Sequence, residues 1–254
     1  MKNDRRTMML HIEPSQEAGV YDMYLYDDIT AEGKFDRSTW TRLESETSAK
    51  YIRDQLAQIP KTATINLYIN SNGGEVKEGV GIYNQLKRHG AKVNGIVDGN
   101  CYSVAFLILQ ACDHRVMNLG TSALVHNMWT WIAGNAKELR AAADDLDKLM
   151  ESNRQVFLDA CGDKMTEEKL IELMEAETFL TPDECLEYGF IDEVNKKASS
   201  DPSDPEGIQQ QKIRQLTEKV NDLQSENNEL RQQIRNDPEP VDPEKIDEAF
   251  HKYF

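Results

Sequence analysis

A serine stands between a predicted strand and an apolar helix in residues 98–109, DGNCYSVAFLIL. The residues before it are small and polar, and the helical pattern begins directly after Ser103. Peptide N–H groups at a helix N-terminus favour negative charge that develops nearby, which suits a nucleophilic hydroxyl. Ser103 is therefore a candidate nucleophile, and the alternative is that it is only an N-cap. Cys101 is also a nucleophile by type, but the strand-to-helix frame favours the serine.

A histidine follows a second apolar stretch in residues 123–129, ALVHNMW, which is typical of a strand end. This position predicts that the imidazole of His126 lies near the same edge of the sheet as Ser103, where it could act as a general base. The alternative is a satisfied structural histidine. The other histidines lie in polar or terminal contexts without such a frame: His11, His89, His114 and His251.

Two further segments carry groups that a serine–histidine pair needs. Residues 68–76, YINSNGGEV, predict a strand that ends in a sharp turn, where two glycines allow a close approach of the backbone to a ligand. Exposed amides in such a turn can stabilise an oxyanion. Residues 174–192, MEAETFLTPDECLEYGFID, supply several carboxylates that could orient a base, and spacing alone does not choose among them.

Strands that alternate with helices must position these groups. Strands are predicted at residues 21–29, 65–69, 92–97 and 115–118, and helices at residues 41–56, 76–88, 104–111 and 135–160. This order predicts an α/β fold with a mostly parallel sheet. Right-handed crossovers then bring the loops after the strands to one edge of that sheet. The long helix at 135–160 is expected to pack against a neighbouring subunit through the face that carries Leu139, Leu146, Leu149 and Phe157.

The formal net charge of −16 disfavours two classes of partner. Such an acidic surface repels nucleic-acid phosphates and anionic lipid, so neither nucleic acid nor a membrane is an expected partner. No apolar window is long enough to span a bilayer, and the N-terminus lacks the apolar stretch of a signal peptide. A cytoplasmic protein is therefore predicted. The spacings of the four cysteines fit no CxxC pair and no zinc pattern, which predicts buried thiols.

Composition divides the chain into five predicted segments. Residues 1–20 form an N-terminal arm, residues 21–197 a folded domain, and residues 198–207, ASSDPSDPEG, a linker. Residues 208–236 form a coiled-coil helix, and residues 237–254 a C-terminal tail. The core positions of the heptads are Ile213, Val220, Asn227 and Ile234 on one side and Leu216, Leu223 and Leu230 on the other. The alternative for this segment is an amphipathic helix that folds back on the domain.

The order of these motifs resembles the Clp protease family of serine peptidases, over about residues 24–194. The matching pieces are YINSNGG followed by EGVGIYNQL, then GNCYSVAFLIL, LVHNMW and ETFLTPDECLEYGFIDEV. The resemblance implies a Clp protease/crotonase-like fold of repeated ββα units, here with a C-terminal coiled-coil helix added. It also implies a homo-oligomeric ring, protein substrates and hydrolysis without a cofactor or a metal.

Carried over by position, the resemblance also implies the roles of individual residues. The family usually has an aspartate as the third member of its triad, and the matching position here is Glu177, whose carboxylate can still accept a hydrogen bond from an imidazole. Asp183 is the alternative acid. The other implied roles are those of nucleophile for Ser103, general base for His126, and oxyanion donors for the amides of Gly74 and Val104.

Two departures from the housekeeping members concern the partner. The loop after His126 is rich in tryptophan (NMWTWIAGN), and the chain carries an acidic heptad tail. A Clp-type domain with a coiled-coil extension resembles the head maturation proteases of tailed phages and prophages, which implies ATP-independent cleavage of scaffold or capsid proteins in the host cytoplasm or the prohead interior. The alternatives are a degradative peptidase that works with an AAA+ unfoldase, a crotonase-like protein that binds an acyl thioester, and an assembly protein with an inactive protease domain.

Overall fold

The computed structural model describes residues 10–15 and 17–196. The chain divides into two units, Met1–Ile213 and Arg214–Phe254, and every described residue belongs to the first. The predicted linker (198–207), coiled-coil helix (208–236) and C-terminal tail (237–254) therefore lie outside the described residues. Within the described part of the chain, no helix is both long and apolar enough to cross a membrane.

Strands and helices alternate through the described residues. The strands are β1 (Leu10–Pro14), β2 (Val20–Tyr26), β3 (Glu32–Asp36), β4 (Thr41–Glu44), β5 (Thr64–Ser71), β6 (Lys92–Tyr102), β7 (His114–Asn118), β8 (Ser122–Val125), β9 (Thr178–Leu180) and β10 (Glu193–Asn195). The helices are α1 (Ala49–Leu56), α2 (Val76–His89), α3 (Val104–Leu109), α4 (Ala136–Cys161), α5 (Glu167–Glu175) and α6 (Pro182–Glu187), with a short 3-10 helix at Gly162–Lys164.

Parallel pairing predominates in the main sheet of the described region. In this eight-stranded sheet β1, β2, β5, β6, β7 and β10 are neighbours in that order, and β8 joins β6 to β9. Only the pairs β1–β2 and β8–β9 of this sheet are antiparallel. β3 and β4 form a separate antiparallel hairpin. The predicted α/β fold with a mostly parallel sheet is confirmed.

The core lies on the face of the sheet that the helices cover. Alternate residues of a strand point to opposite faces, and in β5 the buried set is Ile65, Leu67 and Ile69. All six residues of α3 are buried, as expected for a helix that is apolar on every side. α3 packs against α2 and α4. This burial holds the N-terminus of α3, with Ser103 before it, at the carboxyl end of β6.

The helix predicted at residues 41–56 is wrong in its first half. Residues Thr41–Glu44 form strand β4, which pairs with β3 in the hairpin. Helix α1 begins only at Ala49, because Ser48 is its N-cap and its hydroxyl accepts the N–H of Tyr51 at 3.0 Å. The prediction from apolar spacing across residues 41–56 therefore merged β4 and α1, which are separate elements because Ser48 starts the helix.

Part of the predicted N-terminal arm belongs to the sheet. Residues Leu10–Pro14 form β1, which pairs antiparallel with β2, so that Ile12 lies opposite Met23. The long helix predicted at 135–160 is confirmed as α4, and Asn135 caps it together with Glu138 in a capping box.

Its predicted apolar face is only partly covered. Phe157 is buried in the core, whereas the exposed fractions of Leu139 and Leu149 are 43% and 57%. Helix α4 therefore presents some apolar side chains of this face to the solvent, at Leu139 and Leu149.

Candidate active site

Ser103 lies at a strained backbone position between β6 and α3. Its φ of 56° and ψ of −127° are left-handed values that a residue with a Cβ rarely adopts. Ser103 occupies the N-cap position of α3, but its side chain makes no capping hydrogen bond. The hydroxyl therefore forms no hydrogen bond with the end of the helix. The interpretation of Ser103 as only an N-cap requires such a bond and is not supported.

The glycine turn approaches Ser103 closely. A Cβ added to Gly73 would lie 2.7 Å from the Cβ of Ser103 and 3.2 Å from the amide nitrogen of Val104. The φ of Gly73 is also +92°, which strains any residue with a side chain. Two independent reasons thus require glycine at position 73: its backbone conformation, and the lack of space for a side chain beside Ser103.

The peptide between Gly73 and Gly74 has a defined orientation. The carbonyl oxygen of Gly73 accepts the N–H of Ile29 at 2.7 Å, and the N–H of Glu75 donates to the oxygen of Ile29 at 2.7 Å. In a trans peptide the C=O and the following N–H point in opposite directions. The N–H of Gly74 therefore points away from Ile29.

The amide groups of Gly74 and Val104 are among those at the site that have no acceptor among the described residues. Val104 is the first residue of α3, where an N–H has no partner within the helix. Both residues line the same cavity as Ser103. Unpaired amides beside a serine hydroxyl are the donors that an oxyanion hole needs.

His126 directly follows strand β8 and lines the cavity. The backbone holds it near the serine, because the N–H of Ser103 donates to the oxygen of Leu124 at 2.9 Å and β8 pairs in parallel with β6. The imidazole is partly exposed. Across the described residues, no hydrogen bond joins it to the hydroxyl of Ser103 or to a carboxylate.

Glu177 and His126 adjoin the same end of the β8–β9 ladder, since His126 directly follows β8 and Glu177 directly precedes β9. Val125 and Thr178 form the last pair of this antiparallel ladder, so its register brings the next residues of the two chains, His126 and Glu177, to the same end of the ladder. Like Ser103, Glu177 has a positive φ, at 50°, and its N–H donates to the oxygen of Met174 at 3.2 Å. Its side chain is exposed and makes no hydrogen bond to the described part of the chain.

Asp183 is in a different place. It lies in the first turn of α6, where its carboxylate is 3.8 Å from the Nζ of Lys196. It is exposed and does not line the cavity. Glu177 does not line the cavity either, but it adjoins the end of the ladder that carries His126, whereas Asp183 lies within α6.

The cavity has a volume of about 720 Å³ and a strongly apolar wall. Its polar rim includes Asp28, Glu75 and Lys77. Such a space beside the serine suits the apolar side chain of an extended peptide. The apolar wall consists mainly of Leu107, Met128, Leu146, Leu149, Met150, Phe157 and Met174.

Cys101 is unsuited to the role of nucleophile. Its side chain is fully buried, and burial raises the pKa of the thiol well above its usual value. The thiolate is the reactive form of cysteine, so this side chain stays neutral and unreactive near neutral pH. All four cysteines are buried free thiols, as predicted.

The structure adds contacts that sequence analysis missed. The side chain of Asn70 accepts the N–H of Asn100 at 3.0 Å, and that of Asn72 accepts the side-chain amide of Asn100 at 3.0 Å. These bonds tie the glycine turn to the end of β6. The run of asparagine before the two glycines was the available signal, but the contacts of Ile29 with the turn had none.

Comparisons with known proteins agree with the order of motifs. Residues 40–198 match a family model described as Clp protease. Over 132 residues the chain is 31% identical to a protein of Deinococcus radiodurans named ATP-dependent Clp protease proteolytic subunit, an alignment that covers 51% of this chain and 64% of the relative. A protein of the same name from Borrelia garinii subsp. bavariensis is 30% identical over 132 residues, which cover 51% of this chain and 67% of that relative. The aligned region thus spans about two thirds of the curated relatives.

Proposed function

This chain belongs to the Clp protease family, and from that premise we propose that it is a serine endopeptidase that acts without ATP. One observation carries the proposal. Ser103, His126 and the two unpaired amides of Gly74 and Val104 line a single cavity, and Ser103 is held there in a strained conformation. Strain of this kind persists where the surrounding structure serves a function.

In the first half of the reaction, Ser103 Oγ attacks the carbonyl carbon of the scissile peptide bond while His126 takes its proton. The negative charge that develops on the carbonyl oxygen is stabilised by the amides of Gly74 and Val104. The imidazolium of His126 then donates its proton to the leaving amine, and an acyl-enzyme on Ser103 remains.

In the second half, water replaces the amine. His126 accepts a proton from the water as it attacks the acyl-enzyme, and returns that proton to Ser103 Oγ when the acid product leaves. Glu177 orients the imidazole and stabilises its charged form. Its hydrogen bond to His126, and that between His126 and Ser103, form when substrate closes the site, because catalytic hydrogen bonds are often long in a free enzyme.

The substrate we propose is a scaffold or capsid protein, cleaved during head maturation of a tailed phage or prophage. The sequence supports this with its heptad segment, which acidic segments flank on both sides, and with the tryptophan-rich loop beside the site. Trp129 lines the cavity, and the exposed fractions of Trp129 and Trp131 are 79% and 91%. Aromatic side chains exposed at this level favour contact with another protein.

We also propose that the protein works as a homo-oligomeric ring. The support is helix α4, on which the apolar side chains of Leu139 and Leu149 are exposed in the single chain. A projecting amphipathic helix of this kind buries its apolar side chains when a second subunit covers them.

Two other functions each have an observation in their favour. The names of the relatives favour a degradative peptidase that works with an AAA+ unfoldase, because those proteins are called ATP-dependent. The missing hydrogen bonds among Ser103, His126 and Glu177 favour an assembly protein with an inactive protease domain.

A fluorophosphonate probe tests the central proposal. Wild-type protein should be labelled at Ser103, and both Ser103→Ala and His126→Ala should abolish the labelling. Ser152→Ala is the matched control, because Ser152 is an exposed serine of α4 outside the cavity, and it should be labelled like the wild type. A folded, assembled wild-type protein that takes no label would favour the inactive assembly protein instead.

The choice of substrate needs a second experiment. The full chain and a chain that lacks residues 208–254 are compared on purified scaffold protein and on fluorescent casein, each with and without an unfoldase and ATP. Head maturation predicts ATP-independent cleavage of scaffold that weakens when the tail is removed. Cleavage of casein only with unfoldase and ATP would favour the degradative peptidase.

A further inference from the structure

We propose that Glu75 is a positioning residue that, through Ala31 and Ile29, locks the orientation of the Gly73–Gly74 peptide and so keeps the amide of Gly74 available as an oxyanion donor. This inference rests on the proposed function and adds to it a residue that never touches the substrate's reacting atoms. It is argued from hydrogen bonds between two segments that lie about 44 positions apart in the sequence.

The orientation of this peptide decides whether Gly74 can act. A rotation of the Gly73–Gly74 peptide about its flanking bonds would exchange the directions of its C=O and N–H and would direct an oxygen, not an amide, to the cavity side. Glycine on both sides makes such a rotation sterically easy. The N–H of Ile29, which donates to the oxygen of Gly73 at 2.7 Å, is the contact that opposes it.

The hydrogen bond from Ile29 can fix the carbonyl group of Gly73 only if Ile29 itself stays in place. Its own carbonyl accepts the N–H of Glu75 at 2.7 Å, so backbone bonds flank Gly74 on both sides. Ile29 itself is completely buried. A Cβ at Gly74 would collide with the carbonyl oxygen of Ile29, which shows how closely the two segments approach.

Glu75 adds a side-chain bond to this backbone contact. Its Oε1 accepts the N–H of Ala31 at 3.1 Å, two residues beyond Ile29. Glu75 therefore binds residues 29–31 twice, once through its amide and once through its carboxylate. On the far side of the segment, the hydroxyl of Thr47 accepts the N–H of Thr30 at 3.3 Å.

Ala31 connects the β3–β4 hairpin to the segment that contacts the Gly73–Gly74 turn. The oxygen of Ala31 accepts the N–H of Ser45, and this contact closes the base of the β3–β4 hairpin. The hairpin is exposed beyond that base, with Trp40 at 80% exposure. A displacement of the hairpin would be transmitted through Ala31 to Ile29. The hydrogen bond from Ala31 to the Glu75 carboxylate opposes this displacement.

The substitutions that test this proposal are Glu75→Ala, which removes the acceptor, and Glu75→Gln, which keeps an acceptor oxygen without the charge. Glu46→Ala is the control, because Glu46 is an exposed carboxylate near the same hairpin that makes no hydrogen bond to the described residues. The readouts are kcat and KM on a fluorogenic peptide, normalised to the sites that fluorophosphonate titrates.

Removal of one oxyanion donor costs about 100- to 1000-fold in kcat, and partial misplacement should cost less. We expect Glu75→Ala to lower kcat about tenfold per titrated site with KM unchanged, because the oxyanion contact is made in the transition state. Glu75→Gln and Glu46→Ala should stay within about twofold of wild type. A merely structural role would instead lower the titrated fraction or the Tm, with kcat per site unchanged, and would overturn the proposal. Equal losses in Glu75→Gln and Glu75→Ala would also overturn it.

Amide hydrogen exchange gives a readout that does not depend on activity. Peptides that cover residues 27–33 and 70–77 should exchange faster in Glu75→Ala than in wild type and Glu75→Gln, because the loss of the hydrogen bond between Ala31 and Glu75 lets the two segments open more often. Unchanged exchange in both peptides would overturn the inference even in an active enzyme. If wild type takes no fluorophosphonate label, the proposed function fails, and the exchange result still decides whether Glu75 holds the turn.

Discussion

The N–H of Ser103 donates to the carbonyl oxygen of Leu124 at 2.9 Å. Leu124 lies two residues before His126, so this bond joins the strand that precedes the candidate nucleophile to the strand that precedes the candidate base. Residues two apart on a strand share a face, and Leu124 and His126 both line the cavity. The backbone therefore holds the serine near the histidine before any bond forms between their side chains.

The strain at Ser103 predicts that two substitutions of this residue differ in their effect on stability. Both Ser103→Ala and Ser103→Gly should lower kcat by about 10⁴-fold or more, since the nucleophile is lost. Alanine keeps the strained φ of 56°, so its Tm should stay close to that of wild type. Glycine relieves the strain and should raise the free energy of unfolding by about 1 kcal/mol, after its larger backbone entropy is subtracted.

Urea unfolding of the three proteins measures this difference. A glycine variant less stable than the alanine variant would show that the backbone at position 103 is not strained in solution.

The β8–β9 register predicts which acid supports His126. Glu177→Ala should lower kcat by about 10²- to 10⁴-fold, because the imidazolium loses the carboxylate that stabilises it. Asp183→Asn should leave kcat within about twofold of wild type, since Asp183 lies within α6 near Lys196 and does not adjoin the end of the ladder that carries His126. The measurement is kcat on a fluorogenic peptide for both variants. The reverse pattern would assign the role to Asp183.

Gly79 and Val104 should be energetically coupled. A Cβ at Gly79 would collide with Val104 Cγ2, and it would lie 3.0 Å from Cγ1 and from Cβ. Gly79→Ala should therefore destabilise the protein by about 1–3 kcal/mol and slow fluorophosphonate labelling, because the pressure on Val104 shifts its amide. In a Val104→Ala background both methyl contacts are gone, so the same substitution should cost at least about 1 kcal/mol less.

A double-mutant cycle by urea unfolding checks this coupling, and labelling rates are measured in parallel. Simple additivity of the two substitutions would contradict the packing of Val104 against α2.

The ion pair between Arg115 and Asp192 predicts a dependence of stability on pH. Burial by itself raises the pKa of Asp192, but hydrogen bonds from the Arg115 guanidinium and amide, at 2.7 to 3.0 Å, outweigh it and lower the pKa below its usual value. A carboxyl whose pKa is lowered by folding stabilises the protein above its unfolded pKa of about 3.9. That stabilisation is lost as the pH falls through the folded pKa.

Asp192→Asn should therefore lower the free energy of unfolding by about 1 kcal/mol near neutral pH, a value that allows for solvent screening. The difference from wild type should shrink as the pH falls below about 4. Urea unfolding at both pH values tests this, with Asp147→Asn, an exposed carboxyl of α4, as the control. A difference that persists unchanged in acid would contradict the role of the ionised carboxylate.

Much of the sheet could be predicted from the sequence because its strands and helices have clear local periods. β5, α2, α3 and α4 lie close to their predicted bounds. The error at residues 41–56 arose where two short elements, separated by the cap Ser48, together imitate one helical period. The predicted strand at 21–29 likewise ends early, at Tyr26, and Ile29 instead forms an isolated bridge with Gly74.

The sequence by itself determined the local frames of Ser103 and His126, since each follows a strand and precedes a distinctive local segment within a few residues. Only the tertiary structure decided that Glu177 adjoins the end of the β8–β9 ladder beside His126, and that the amide of Gly74 has no acceptor among the described residues while hydrogen bonds join Ile29 to the residues on either side of it. The physical reason is that the pairing of strands and the hydrogen bonds of Ile29 with Gly73 and Glu75 join residues that lie tens of positions apart in the sequence. Local propensity carries no information about such contacts, and they form only when the core brings the segments together.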